Sequence, residues 1–225
     1  MLSLLFLAQL PYKGRMTLIE TMPAPSLPRR TQAVRTARAR ERIIAGAISA
    51  LHEKGYAGAT LAQIATRADL TKGAVLHHFP DRVAVLAAVV DDVFAREMGI
   101  YEMAFDKAPP QRRLIEVLLE TAWTIYQQPA ALAVLDIWMA TRSDPDLASV
   151  VLPVFEQIRL SGEVRMGHIM SQSGAPAGAL GVAWQTMMLA TLRGLALEHA
   201  LGRVSAAEDA ARLLVEVSHF AEAGS

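Results

Sequence analysis

Two short helical segments joined by a tight turn, within residues 60–82, constrain the fold of this chain more than any other feature. Thr60 precedes the first segment and Thr71 the second, and each side chain suits an N-cap that accepts a hydrogen bond from the first helical turn. A second helix this short gains little stability by itself, so we expect it to present its N-terminal end to a partner such as a DNA groove. Apolar residues recur at helical spacing in the first segment: Leu61, Ile64, Ala65 and Ala68.

The outer face of the second segment carries a cation, small side chains and two histidines. Val75 and Phe79 are one helical turn apart and are predicted to face the core, which leaves the other side chains on or near the surface. We expect Thr60 and Arg82 to anchor DNA phosphates, and Lys72 to contact a phosphate or a guanine edge in the major groove. The full set of predicted DNA contacts is Thr60, Thr71, Lys72, Gly73, Ala74, His77, His78 and Arg82.

The distribution of charge agrees with a DNA-binding N-terminal part. The whole chain is neutral, with 22 Lys/Arg and 22 Asp/Glu. Residues 29–82 have ten basic and four acidic side chains, a net charge of +6, whereas residues 83–225 have ten and seventeen, a net charge of −7. A basic module on an acidic body is typical of a DNA-binding protein with a separate regulatory domain. On charge alone, chance clustering of surface residues is the alternative.

Residues 36–90 resemble the DNA-binding domain of the TetR family of bacterial transcriptional regulators. The resemblance implies an all-α protein in which a three-helix helix-turn-helix domain precedes a helical effector-binding and dimerisation domain. It also implies a sequence-specific regulator, most simply a repressor that a small-molecule effector releases from a palindromic operator in double-stranded DNA. The matching features are a basic lead-in, an apolar helix ending at Lys54-Gly55-Tyr56, the Thr60 cap, Ile64-Ala65, and Thr71-Lys72-Gly73 before His77-His78-Phe79.

Two positions depart from the pattern of the family. The turn residue is usually glycine in the family and is Asp69 here. A left-handed backbone disfavours most residues, but Asp and Asn tolerate it best, so we expect the turn to form at a small cost. Leu76 stands where the family usually has a tyrosine that hydrogen-bonds a phosphate. The loss of that contact leaves more of the phosphate binding to Lys72, His77 and Arg82.

We expect three parts along the chain: a leader over residues 1–30, the helix-turn-helix domain over residues 36–82, and the body over residues 83–223. Four prolines in the leader oppose regular structure, and Met16 or Met22 is a plausible alternative start. A short interfacial or packing segment is the other interpretation of the leader. The arginines that follow, Arg29, Arg30, Arg35, Arg38 and Arg40, fit either a flexible arm along the DNA backbone or a solvated run at a helix entrance.

Signals for helix starts and ends divide the rest of the chain. The first helix is predicted over about residues 36–54, with Gly55 as its C-terminal stop. A long fourth helix begins after Pro80, with Asp81 as its cap. Pro153 predicts a kink or an interruption in a later helix. The remaining predicted helices lie at about 112–127, 130–141, 144–171, 177–201, and from a capping box at Ser205 onward.

The family resemblance also implies a ligand pocket in the first helices of the body. Aromatic and methionine side chains form adaptable apolar cavities, although the same residues at helical spacing also form ordinary core. Three carboxylates, Glu102, Glu120 and Asp136, favour a cationic ligand if they point inward and otherwise face solvent. The residues expected to line the pocket are Met98, Tyr101, Met103, Trp123, Tyr126, Trp138 and Met139.

The last two helices have apolar residues on more than one side, which exceeds what a single core face requires. The resemblance implies a homodimer whose interface is a four-helix bundle of these helices; helices buried inside a monomer are the alternative. Dimerisation suits DNA reading, because two recognition helices about one DNA turn apart, ~34 Å, can read a palindrome. The expected interface residues are Trp184, Met188, Leu195, Leu213, Val217 and Phe220.

Several other classes of protein find no support in the sequence. The absence of cysteine excludes disulfides and thiolate metal sites and is compatible with a cytoplasmic protein. No apolar run approaches the ~20 residues that span a bilayer. Adjacent His77 and His78 point about 100° apart on a helix, so we expect no metal site: His77 suits a phosphate, and His78 suits packing at the start of the fourth helix. No catalytic constellation or cofactor motif stands out.

Two functions besides a ligand-controlled regulator remain open from the sequence. One is a constitutive or architectural DNA-binding protein, for which we expect a filled body without a cavity. The other is a helical small-molecule-binding protein or enzyme with impaired DNA binding, which the residues at Asp69 and Leu76 mildly favour.

Overall fold

The computed structural model of the protein describes residues 32–109, 113–173 and 178–223, and the predicted leader lies outside them. The described residues form nine helices and no strand, which confirms the all-α prediction. None of these helices is long and apolar enough to cross a bilayer. The helices are α1 Gln32–Gly58, α2 Leu61–Arg67, α3 Lys72–His78, α4 Arg82–Asp106, α5 Leu114–Tyr126, α6 Pro129–Ala140, α7 Pro145–Ser173, α8 Gly178–Ala200 and α9 Val204–Ala223.

Side-chain caps define the N-terminal ends of three helices, as the sequence predicts. Thr60 accepts a hydrogen bond from the backbone N–H of Gln63 at 3.3 Å, and Thr71 accepts one from Ala74 at 3.1 Å. Asp81 caps α4 in the same way, through the N–H of Ala84 at 2.8 Å. Each cap satisfies a donor that the helix itself leaves without a partner. Two helices of seven residues each are thereby bounded at fixed positions.

Two apolar clusters form the core, and α4 belongs to both. The first joins α1–α3 and the N-terminal half of α4 to parts of α6 and α7, around the fully buried Ile43, Ile64 and Leu86. The second joins the C-terminal half of α4 to α5, α8 and α9, around Leu118 and Leu192. α4 therefore joins the two clusters, because its N-terminal half packs in one and its C-terminal half in the other.

The structure corrects one sequence-based expectation about helices and narrows two others. Residues 32–42 already belong to α1, so Arg35, Arg38 and Arg40 are helical and do not form a flexible arm. α7 continues through Pro153, so the predicted interruption is absent and the alternative, a kink, remains a prediction. The last helix begins at Val204, so Ser205 lies within its first turn and does not cap it.

The stop predicted at Gly55 is present inside the segment assigned to α1. Gly55 has φ 64° and ψ −178°, values that break the helical geometry before a last short turn that ends at Gly58. Glycine adopts a positive φ without the steric cost that other residues meet. The direction of the chain therefore changes at Gly55, just ahead of the Thr60 cap.

Candidate nucleic-acid interface and ligand cavity

The helix α3 presents polar and small side chains to solvent while its apolar side holds it to the core. Val75 is fully buried and Phe79, just after the helix, is 3% exposed. Lys72, Gly73 and His77 are exposed, as are the caps Thr60 and Thr71, whereas Ala74 and His78 are half-buried. Leu76 is 40% exposed, an apolar side chain at the position where the family has a phosphate-binding tyrosine. Of the predicted DNA contacts other than Arg82, five are therefore exposed and two are half-buried.

The eighth predicted contact, Arg82, is engaged within the protein. Its Nε donates to the carbonyl of Ala59 at 2.8 Å, and its guanidinium donates to the carbonyl of Tyr56 and stacks over the Tyr56 ring at 4.1 Å. These contacts tie the start of α4 to the end of α1. Two of its donors are therefore used on backbone carbonyls, and its role as a phosphate anchor remains a prediction.

Two arginines of α1 fix the turn and the far end of α3, and the sequence alone did not identify them. Arg40 donates to the carbonyl of His78 at 3.1 Å and lies over the Phe79 ring at 4.2 Å. Arg42 donates to the backbone carbonyl of Asp69 at 2.6 Å and to its carboxylate at 3.0 Å. Asp69 has φ 52°, the left-handed conformation predicted for the turn. At both places a positively charged guanidinium group faces a backbone carbonyl oxygen and stabilises its partial negative charge.

Close contact between α1 and α2 positions the whole helix-turn-helix unit. A Cβ atom on Gly46 would lie 2.8 Å from the backbone nitrogen of Ala68 and 2.9 Å from the carbonyl oxygen of Ile64. Only glycine allows the two backbones this approach. An ion pair between Glu53 and Arg67, at 2.6 Å, supports the same contact further along. The hydrogen bond from Arg67, together with one from Ser49, lowers the pKa of Glu53 to about 2.

The body contains a large cavity of about 1230 Å³ between α4, α5, α6, α7 and α8. Its volume exceeds the ~300–1,000 Å³ of typical ligand pockets. Most of its walls are apolar, and six aromatic rings contribute to them. The six aromatic residues are Phe94, Tyr101, Phe105, Tyr126, Trp138 and Phe155.

Four of the seven side chains predicted to line a pocket lie on this cavity. Met98, Tyr101, Tyr126 and Trp138 line the cavity. The other three do not: Met103 and Met139 are 54% and 49% exposed on outer helix faces, and Trp123 packs edge-on against the ring of His199 at 6.0 Å. These three corrections have one cause, because in helices that are apolar on several sides the sequence does not tell the cavity side from the others.

Charged residues also line the cavity, and the sequence analysis anticipated only Glu102 among them. Glu97 of α4 and Arg193 of α8 face the same space. Burial raises the pKa of Glu97 to about 7, although the positive charge of Arg193 opposes the rise. Arg193 also lies beside Tyr126, with its guanidinium carbon 5.6 Å from the centre of that ring. Burial raises the pKa of the Tyr126 hydroxyl, which therefore stays protonated.

The residues expected at a dimer interface fall into two groups. Leu213 and Val217 of α9 are 57% and 47% exposed, so they are available to a partner. Met188 is 4% exposed and belongs to the second core cluster, so its assignment to the interface is wrong. Trp184 and Leu195 are half-buried against that same cluster. The side chain of Phe220 lies outside the described part of the chain.

A side-chain link joins the DNA-binding end to the body. The Tyr56 hydroxyl, at the end of α1, donates to the Asp144 carboxylate at 2.5 Å, and Asp144 in turn accepts from the N–H of Leu147 at the start of α7. Both hydrogen bonds lower the pKa of Asp144, and the bond from Leu147 has the larger effect. Burial and the bond to Asp144 raise the pKa of Tyr56, so the hydroxyl keeps its proton. Tyr56, Asp144 and Arg82 together form what we term the hinge link.

Comparison with known proteins gives one family and one fold. Residues 43–89, from α1 into α4, match the family model described as bacterial regulatory proteins, tetR family. The HTH-type transcriptional regulator CymR of Pseudomonas putida is 28% identical over 170 residues, which cover 75% of this chain and 83% of CymR.

Solved structures agree with this match. A transcriptional regulator from Rhodococcus sp. Rha1 superposes with a TM-score of 0.60 at 18% identity and covers 79% of this chain and 94% of its own. Salmonella enterica GusR gives 0.58 at 21% identity, with 83% and 96% covered. At these identities the structures are alike in fold, which includes the arrangement of the N-terminal helices and the helical body.

Proposed function

Because this chain is a TetR-family DNA-binding transcriptional regulator and not an enzyme, we propose that it acts in the cytoplasm as a homodimeric repressor of transcription. Each protomer places α3 in the major groove of one half of a palindromic operator. A small molecule bound in the cavity of the body changes the spacing of the two recognition helices and releases the DNA. We divide the chain between these tasks at residue 82, with the helix-turn-helix domain before it and the body after it.

The observation that carries this proposal is the exposure of α3 on a rigid support. Its polar side is exposed and its apolar side is buried, while Arg40 binds its last residue and Arg42 binds the turn that precedes it. Lys72 and His77 point away from the core at the positions that enter the groove in a helix-turn-helix protein. Thr60 and Thr71 lie at the two helix starts, where a hydroxyl that accepts from the backbone can also donate to a phosphate oxygen.

Apolar exposure on the last two helices supports the homodimer. One side of α8 shows a continuous row of exposed small and apolar residues, and Leu213 and Val217 continue that character on α9. Such a row is unfavourable in water and is typical of a protein–protein interface. Gly194 lies in its middle, and a Cβ atom there would meet no other atom of the protomer within 4 Å. The row, here termed the dimer stripe, is Ala183, Met187, Ala190, Gly194, Leu197 and Leu201.

The hinge link supplies a path from the cavity to α3. α7 lines the cavity through Leu152 and Phe155, and Asp144, which accepts a hydrogen bond from the hydroxyl of Tyr56, directly precedes its first residue. α4 lines the cavity through Phe94 and begins at Arg82, which binds the same end of α1. A ligand that moves either helix therefore acts on the support of the recognition helix, and shifts of 1–2 Å suffice in such devices.

A binding titration with the DNA that flanks its own gene tests the proposed function. Fluorescence anisotropy at two salt concentrations, with and without competitor DNA, measures affinity, specificity and the electrostatic share of binding. We expect one fragment with a palindrome to bind with a clear preference over competitor, more weakly at high salt, and with two protomers per site.

The control for this titration is Lys107→Ala, which removes an exposed cation at the end of α4, far along the chain from α3. It should bind the fragment as the unaltered chain does. If no genomic fragment and no selected random sequence binds better than competitor DNA, the chain is not a sequence-specific regulator of this type.

A further inference from the structure

We propose that Leu76 reads a thymine in each half of the operator, by packing against the 5-methyl group that thymine presents in the major groove. The inference rests on the function proposed above, because it requires α3 to lie in that groove. It goes beyond that function by assigning a base preference to one side chain. The two are tested separately, since α3 can bind DNA specifically without this contact.

Leu76 lies on the exposed side of α3. Val75 is fully buried, whereas Leu76, the next residue, is 40% exposed. Lys72 and Gly73 are exposed as well, and they precede Leu76 by four and three residues. Residues at these spacings are neighbours on the same side of a helix. A helix that enters the groove with Lys72 therefore brings the side chain of Leu76 into the groove too.

The surface beside Leu76 lets another group come close. Gly73 has no side chain, and among the described residues, apart from its chain neighbours, the side chain nearest to a Cβ atom there would be that of Thr71, at 3.9 Å. The other exposed side chains on this side, Lys72 and His77, are polar. Leu76 thus borders a shallow place where a small apolar group can reach van der Waals contact with it.

The chemistry of leucine limits what it can bind in DNA. Its side chain has no donor and no acceptor, so Leu76 cannot take over the phosphate contact of the tyrosine that the family usually has at this position. In the major groove, apolar side chains contact the methyl group of thymine, which distinguishes that base from the other three. Leu76 therefore replaces a contact that positions the protein by one that reads a base.

A protein partner does not suit the same side chain. Stable protein–protein interfaces bury about 800 Å² on each partner, whereas Leu76 is a single apolar residue between exposed polar side chains. Isolated apolar residues are common on protein surfaces. The position of Leu76 on the side of α3 that carries Lys72 and His77 is what assigns it to DNA.

Deoxyuridine tests the contact, because it differs from thymidine only by the missing 5-methyl group. Operator DNA found by selection from random sequences is prepared with each thymine replaced in turn, together with its symmetry mate in the other half-site. Fluorescence anisotropy then measures the affinity of the full-length protein for each DNA. We expect one pair of thymines at which the replacement weakens binding by about tenfold, which corresponds to one buried methyl group in each half-site.

Three variants test the role of Leu76. Leu76→Ala removes most of the apolar side chain, so it should bind thymine and uracil DNA equally at that pair. Leu76→Met keeps an apolar side chain of similar volume and should keep the difference. Leu160→Ala is the matched control, because Leu160 is 49% exposed on α7 in the body, and it should bind both DNAs as the unaltered chain does. Circular dichroism of the variants confirms that the helices are intact.

Four outcomes would overturn the thymine contact. Specific binding that no deoxyuridine replacement weakens would do so and would leave the proposed function in place. So would a sensitive pair of thymines that stays sensitive in Leu76→Ala, because another side chain then contacts the methyl group. Weaker binding of Leu76→Ala by the same factor on thymine and uracil DNA would place Leu76 against the deoxyribose instead. A chain that binds no selected sequence better than competitor DNA would overturn both this contact and the proposed function.

Discussion

Replacement of Gly46 by alanine adds one methyl group at the tightest contact between α1 and α2. The new Cβ would lie 2.8 Å from the nitrogen of Ala68 and 2.9 Å from the oxygen of Ile64. Both neighbours are backbone atoms in the helix-turn-helix unit, so neither can rotate away as a side chain would. The two helices must separate instead, and the turn that leads to α3 must move with them.

The magnitude follows from two opposing terms. Overpacking of a well-packed core typically costs ~1–3 kcal/mol, while alanine is favoured over glycine in a helix by ~1 kcal/mol. Gly99→Ala isolates the second term, because a Cβ at Gly99 on α4 would meet no other atom within 4 Å. The difference between the two variants is then the cost of the clash, ~1–3 kcal/mol. For a chain of this size this corresponds to a melting temperature ~2–12 °C lower for Gly46→Ala.

Thermal unfolding by circular dichroism compares the two variants at one protein concentration, since a dimer melts in a concentration-dependent way. Operator binding at a temperature where both are folded provides the second reading, and Gly46→Ala should bind more weakly because α3 is displaced. A Gly46→Ala protein that melts with or above Gly99→Ala would show that α1 and α2 do not approach as closely as described.

Three other changes probe the body and its links. Ionisation of Glu97 destabilises the folded state, because its pKa there is about 7 against an ordinary 4.5. Measured by urea unfolding and compared with Glu97→Gln, the free energy of unfolding of the unaltered chain should fall by up to about 3 kcal/mol as the pH rises from 4.5 to 7. It should fall no further above pH 7. Gly194→Leu should yield monomers in light scattering where Gly99→Leu stays dimeric, and a dimeric Gly194→Leu would remove the dimer stripe from the interface. Tyr56→Phe keeps the ring under Arg82 but loses the hydrogen bond to Asp144; it should still bind operator, and unchanged release by ligand would show that this bond carries no coupling.

The parts of the fold that the sequence predicted are those decided by local interactions. The caps at Thr60, Thr71 and Asp81 each bind a backbone N–H three residues on, so the residue type and its position suffice to identify them. The left-handed turn at Asp69 and the break at Gly55 are likewise properties of single residues. The start of α9 was wrong because Gly202, at φ 93°, turns the chain sharply and allows a new helix at Val204, ahead of the apparent cap.

The parts that the sequence did not reveal depend on partners far along the chain. Arg40 was assigned to a basic run and Arg42 was not singled out, and only the fold brings them to His78 and Asp69, 38 and 27 residues away. The position of Arg193 was likewise not predictable, because only the fold brings α8 to the cavity that Glu97 of α4 also lines.

Helix α8 shows the same limit in another form. Its apolar residues surround the helix, so periodicity does not separate the face that packs on α5 from the face that is free for a partner. Met188 and Leu192 lie on the packed face, while Met187 and Leu197 lie on the free one. The neighbouring pair Met187 and Met188 therefore has opposite roles, although the two residues are identical in type.

The most direct measurement is operator affinity of the Lys72→Ala, His77→Ala double variant against that of the unaltered chain, by anisotropy on the same fragment. Both side chains are exposed on α3 and serve no cap or core contact, so the fold should remain intact. With ~1–3 kcal/mol for each of two lost groove contacts in each of two protomers, we predict an affinity lower by about a thousandfold or more. Affinity equal to that of the unaltered chain, with the same preference over competitor DNA, would contradict the assignment of α3 as the reading helix.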